Sequence, residues 1–134
     1  MFCVRLSVAK SLSTLMFAAL ASMPVGAADL FSPVGRWQTA TGESRYEVRY
    51  CGSEGRICAK LIWLRSDART PENLAYLNQF VVVEAAPTAS NRWTGDIAYD
   101  GQSIRGKMTL VGNDKMVLSG CQGMFCQTVE FERV

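Results

Sequence analysis

The chain has 134 residues, with 14 Lys and Arg against 12 Asp and Glu, five cysteines and no histidine. That length suits one small domain, and so balanced a charge argues against nucleic acid or an anionic membrane as the main partner. Without histidine the commonest general base and zinc ligand are missing, and Ser/His and Cys/His nucleophile pairs are excluded.

The chain opens on "MFCVRLSVAKSLSTLMFAALASMPVGAADL". Arg5 and Lys10 form a basic start, Leu12 to Met23 an apolar stretch, and Val25-Gly26-Ala27 or Gly26-Ala27-Ala28 a small-residue cleavage pattern. This predicts a secretory signal peptide over residues 1–28, cut near Ala27 or Ala28. The stretch is too short for a membrane anchor, which needs ~20 apolar residues. Residues 29–134 then form a single domain, periplasmic or secreted, with no integral membrane segment. The leader takes two basic residues and no acidic one, which leaves that domain neutral.

From Gly35 onward, short runs rich in Val, Ile, Tyr, Trp and Thr alternate with Gly, Asp and Asn breaks. Eight are expected, near 35–40, 45–51, 57–65, 80–85, 91–99, 102–111, 115–121 and 125–133. Their number and spacing predict an all-β sandwich or barrel. Between the third and fourth lies "TPENLAYLNQ", where Thr70 suits an N-cap and Pro71 the first helical position. One short helix, or a lid-like loop, is expected there.

After the leader four cysteines remain, and an even number in an exported domain is read as disulfides. Setting Cys51 opposite Cys58 pairs Tyr50 with Ala59, Val48 with Leu61 and Tyr46 with Trp63 on one uncharged face. Ile62 and Leu64 then fall on the outer face. Setting Cys121 opposite Cys126 pairs Leu118 with Val129 and Met116 with Phe131 inward, and Lys115 with Glu132 outward. Metal binding would need the thiolates to converge, and these spacings differ from the C-x-x-C knuckle. Two cross-strand disulfides, Cys51–Cys58 and Cys121–Cys126, are therefore expected, with no metal and no cofactor.

Asp100-Gly101 is a type I′ hairpin signal. It pairs Tyr99 with Gln102, Ile97 with Ile104 and Trp93 with Met108 inward, and Asp96 with Arg105 outward. The loop Gly112-Asn113-Asp114 extends the last four strands into an antiparallel meander. In these registers Gly95, Gly106 and Gly120 lie side by side and end at Gln127. Such a row lets a sheet bend or receives a bulky neighbour; alternatively it forms a lumen groove with Gln127 as its polar end.

"PVGRWQTA" near the start and "FERV" at the end resemble the calycin signature of lipocalin-like barrels. The resemblance implies that Trp37 closes a barrel floor and Arg133 braces it. Read in order, G-x-W, "RYEVRYCGSEGRICAKLIWL", "NRWTGDIAYDGQSIRGKMTL" and "MVLSGCQGMFCQTVEFERV" resemble the bacterial exported domain-of-unknown-function family 2147, as a divergent member. This implies an antiparallel eight-stranded up-and-down barrel of lipocalin or calycin type, and transfers no activity.

Catalysis is not expected, because the acidic residues read as a solvated outer face. The expected role is binding of a small apolar or amphipathic ligand in the lumen. Its candidate lining is Tyr46, Tyr50, Trp63, Trp93 and Tyr99 with the glycine row and Gln127. The alternative is a protein–protein recognition module, such as an inhibitor of a secreted hydrolase or a cell-envelope accessory protein. That module would act through Gly52–Arg56 and Ser66–Tyr76.

Overall fold

The computed structural model describes residues 31–134; the leader expected over residues 1–28 lies outside the described residues. Eight antiparallel strands run in order: β1 (Gly35–Thr39), β2 (Ser44–Tyr50), β3 (Ile57–Leu64), β4 (Phe80–Ala89), β5 (Arg92–Tyr99), β6 (Gln102–Leu110), β7 (Lys115–Gln122) and β8 (Phe125–Arg133). Each pairs with the next, and β1 returns to β8 to close a barrel. The β3–β4 connection holds a 3₁₀ turn (Ser66–Ala68) and helix α1 (Pro71–Leu74). Thr70 caps α1 by accepting the Asn73 N–H at 3.2 Å, with Pro71 opening the first turn.

The meander β5–β8 adopts the expected registers. Trp93 lies opposite Met108 and Gly95 opposite Gly106, with Asp100 and Gly101 both left-handed as a type I′ turn requires. Gly106 faces Gly120, Gly120 faces Gln127 and Cys121 faces Cys126.

The first hairpin differs in two ways. Cys58 lies opposite Arg49, and Val48 opposite Ala59, so the pairing is displaced by two residues from a Cys51–Cys58 register. A displacement of two preserves the faces, because side chains alternate with period two. Cys51 sits just past the end of β2 with its N–H on the Arg56 carbonyl at 3.0 Å, and still bonds to Cys58. The second difference does change faces. The register shifts between Arg45 and Tyr46, so Leu61 opposes Tyr46 while Trp63 opposes Arg45. This bulge sends Ile62 and Trp63 to the outer wall and turns Leu64 inward, where it is buried.

β4 runs past its expected end at residue 85 and reaches Ala89. Proline has no N–H to give to a ladder, and Pro87 falls where the β4–β5 register shifts. A second irregularity lies between Val82 and Ala86, where Glu84 takes a left-handed φ of 49°.

Up-and-down connections alternate between the two ends of a barrel. One end carries the β2–β3, β4–β5 and β6–β7 turns, and it forms the floor. Trp37 is 1% exposed there and donates its indole N–H to the Pro33 carbonyl at 2.9 Å. The Arg133 guanidinium lies 4.3 Å from the Trp37 ring centroid. It donates to the carbonyls of Asn113 at 2.8 Å, Val34 at 2.8 Å and Ser32 at 2.7 Å. Gly35 makes that reach possible: its φ is +145°, and a Cβ there would stand 2.5 Å from Arg133 Nη1. The glycine of G-x-W thus clears the path of the arginine.

Candidate functional site: the barrel lumen

The floor half of the interior is solid. Trp37, Val48, Ile57, Trp93, Leu110 and Met116 pack there as buried core. Trp93 also donates its indole N–H to the Gly55 carbonyl at 3.0 Å, which ties β5 to the β2–β3 loop.

Above this layer the lumen opens into a cavity of about 780 Å³. Leu61, Val82, Met108 and Leu118 supply apolar wall, and Tyr46 projects among them. The Tyr46 ring meets Phe131 edge-on at 5.5 Å between centroids. Its hydroxyl and that of Ser44 share one hydrogen bond at 3.3 Å, which leaves one hydroxyl proton of the pair for another acceptor. Burial pushes the Tyr46 phenol pKa up, with Glu43 adding to the rise and the Ser44 contact opposing it.

The mouth is ringed by the β1–β2 turn, the β3–β4 segment, the β5–β6 turn and the upper part of β8. One side of this rim is low. β1 pairs with β8 only through Trp37–Arg133, Gln38–Glu132 and Thr39–Phe131, extended by the Ala40 N–H on the Glu130 carbonyl at 2.9 Å. Beyond that, no described strand covers the outer edge of Phe125–Val129, so Gln127 and Val129 line the cavity while exposed to solvent.

The residues expected to line the lumen therefore separate. Tyr46 and Gln127 reach the cavity, and Tyr99 stands at its rim, 54% exposed. Trp93 belongs to the floor core. Tyr50, 56% exposed, lies at the floor end of β2 outside the cavity. Trp63 is on the outer wall with the Arg45 guanidinium 4.4 Å from its ring centroid, a direct result of the β2–β3 bulge.

The glycine row is not a groove. Ala85, pushed inward by the β4 irregularity, covers Gly95: a Cβ there would meet Ala85 Cβ at 2.8 Å and Ala85 Cα at 2.9 Å. Ile97 leans over Gly106 and Ile104 over Gly120. Gly95→Ala is accordingly expected to destabilise by roughly 1–3 kcal/mol, since β4 backbone must move. Gly120→Ala meets its nearest atom at 3.3 Å and should change stability far less. Thermal melts of the two variants check the contrast; equal melting temperatures would mean that β4 does not press on β5.

The loops Gly52–Arg56 and Ser66–Tyr76 occupy opposite ends of the barrel, floor and mouth respectively. Among the described residues no three Cys, Asp or Glu side chains gather as a metal ion would require. No described helix is long and apolar enough to cross a membrane.

The fold and this lumen define a class: a disulfide-stapled eight-stranded barrel, closed at one end by a Trp–Arg floor and open at the other. Residues 35–133 match the family model described as an uncharacterized protein conserved in bacteria, domain of unknown function 2147. The chain belongs to that family. No curated protein matches it. Among solved structures, a redesigned beta barrel aligns at 14% identity with a TM-score of 0.46, covering 75% of this chain and 90% of that one.

Proposed function

We propose that this protein is an exported, non-catalytic barrel that binds a small apolar or amphipathic molecule in its lumen. The observation that carries this reading is the cavity, whose volume falls within the ~300–1,000 Å³ typical of small-molecule sites. Its composition fits as well: an apolar wall with hydroxyls at Tyr46 and Ser44 and an amide at Gln127. The basic-then-apolar leader and the two disulfides support export, since such bonds persist in oxidising compartments. The lack of histidine and the solvent-exposed setting of the mouth carboxylates support a binding role over catalysis.

The neutral dye N-phenyl-1-naphthylamine, whose emission rises in apolar surroundings, tests the reading. The parent protein is expected to bind it saturably. Leu118→Trp places an indole into the cavity from a half-buried wall position and should abolish the signal while leaving the melting temperature near that of the parent. Undiminished emission from a folded Leu118→Trp variant would place the dye elsewhere and remove the reading.

A further inference from the structure

The charges at the mouth carry the ligand class further. Four acidic residues border the cavity, Glu43, Glu72, Asp100 and Glu130, and no Lys or Arg does; Glu130 alternates with inward Val129 and Phe131, so its carboxylate turns to the outer wall. Two of them have cationic neighbours: Glu43 lies 3.9 Å from Arg65, and Glu130 lies 3.1 Å from Lys115. Arg65 is itself committed to Asp67, donating at 2.6 and 2.9 Å, and holds that carboxyl below the usual aspartate range. Glu72 and Asp100 make no ion pair among the described residues.

These two acids come from different connections, which one hydrogen bond joins. The Tyr76 hydroxyl accepts the Gly101 N–H at 2.5 Å and fastens the β3–β4 segment to the β5–β6 turn. The same stretch of rim thus holds Glu72, Tyr76, Tyr99 and Asp100, all of which line the cavity. Aromatic rings beside unpaired carboxylates favour a cation, through the ring quadrupole and through Coulomb attraction.

From this arrangement we infer that the lumen selects a cationic amphiphile: a hydrocarbon tail seated on Leu61, Met108 and Leu118, with an ammonium head held at the rim by Glu72, Asp100, Tyr76 and Tyr99. The inference rests on the lumen-binding reading and adds the charge of the head group. Anionic amphiphiles are disfavoured, because nothing lining the mouth could neutralise them.

Three amphiphiles with the same dodecyl tail separate the two levels of the argument. Displacement of bound N-phenyl-1-naphthylamine is measured below the micellar range for dodecyltrimethylammonium, dodecyl maltoside and dodecyl sulfate. The ammonium compound is expected to compete at ~10-fold lower concentration than the maltoside, with the sulfate weakest and the gap narrowing as salt is raised. Glu72→Gln with Asp100→Asn should bring the ammonium compound down to the maltoside value. Both positions are exposed, and Asn suits the left-handed backbone at residue 100, so this variant keeps the fold. If the maltoside or sulfate competes as well as the ammonium compound, or the double variant retains the preference, the head-group inference fails while lumen binding stands. If the dye does not bind and no amphiphile alters the protein's melting temperature, the lumen reading fails and takes this inference with it.

Discussion

Trp37→Ala and Arg133→Ala are expected to destabilise the barrel strongly and non-additively. Truncating a fully buried indole costs ~3–5 kcal/mol in typical cores, and Trp37 is among the largest fully buried side chains of this one. Loss of Arg133 removes three hydrogen bonds to backbone carbonyls, so a cost of ~2–3 kcal/mol is expected after allowance for its partial exposure. The two effects overlap. Without the ring, the guanidinium loses the face it stacks on; without the guanidinium, the ring is uncovered and the segment from Ser32 to Val34 loses two of its ties, keeping the indole bond at Pro33. A coupling of ~0.5–2 kcal/mol is expected from urea denaturation of the two single variants and the double. Strict additivity would show that ring and guanidinium do not support each other. Arg133→Lys should recover little, because an ammonium lacks the planar fork that reaches carbonyls in three directions.

The second large effect concerns the two disulfides, which are close in loop length and should differ in consequence. Replacing Cys51 and Cys58 together by Ser is expected to lower global stability by about 2.5 kcal/mol on the chain-entropy model. Cys58 adds to this, since it is buried and its sulfur accepts the Glu84 N–H at 3.2 Å, which ties the β2–β3 hairpin to β4. Replacing Cys121 and Cys126 should shift the global midpoint less. That bond clips a hairpin tip whose β8 part, Phe125–Val129, has no described strand on its outer side, so its loss is felt first as local fraying. Denaturant midpoints with amide hydrogen exchange separate the two: a global shift for the first pair, and faster exchange confined to residues around 119–129 for the second. Equal global shifts would mean that the mouth hairpin unfolds only with the whole barrel.

The meander was legible because its turns leave little freedom. Asp100-Gly101 fixes a two-residue hairpin, and the alternation from Trp93 to Leu110 tolerates no slip. Helix α1 was legible from Thr70 and Pro71 for the same reason, a local signal with a local outcome. The first hairpin was not, because two bonded cysteines need not stand directly opposite, and nothing local to Ile62 or Trp63 announces a bulge. Alternation carried past that point turns Trp63 inward and Leu64 outward, the reverse of what forms. The bulge in β4 had a similar effect, since only the backbone shows that Ala85 occupies the space Gly95 leaves. The acidic mouth was illegible for a different reason. Glu43, Glu72 and Asp100 are each unremarkable polar residues in or beside a connection, and only closure of the sheet assembles them.

That closure rests on a short seam between β1 and β8, whose partners lie almost the whole domain apart in sequence. Contacts so distant form late, after the entropy of a long loop has been overcome. During synthesis, the indole at position 37 waits uncovered until Arg133 arrives. A premature stop or a clipped tail would leave two naked strand borders facing solvent, an invitation to aggregate.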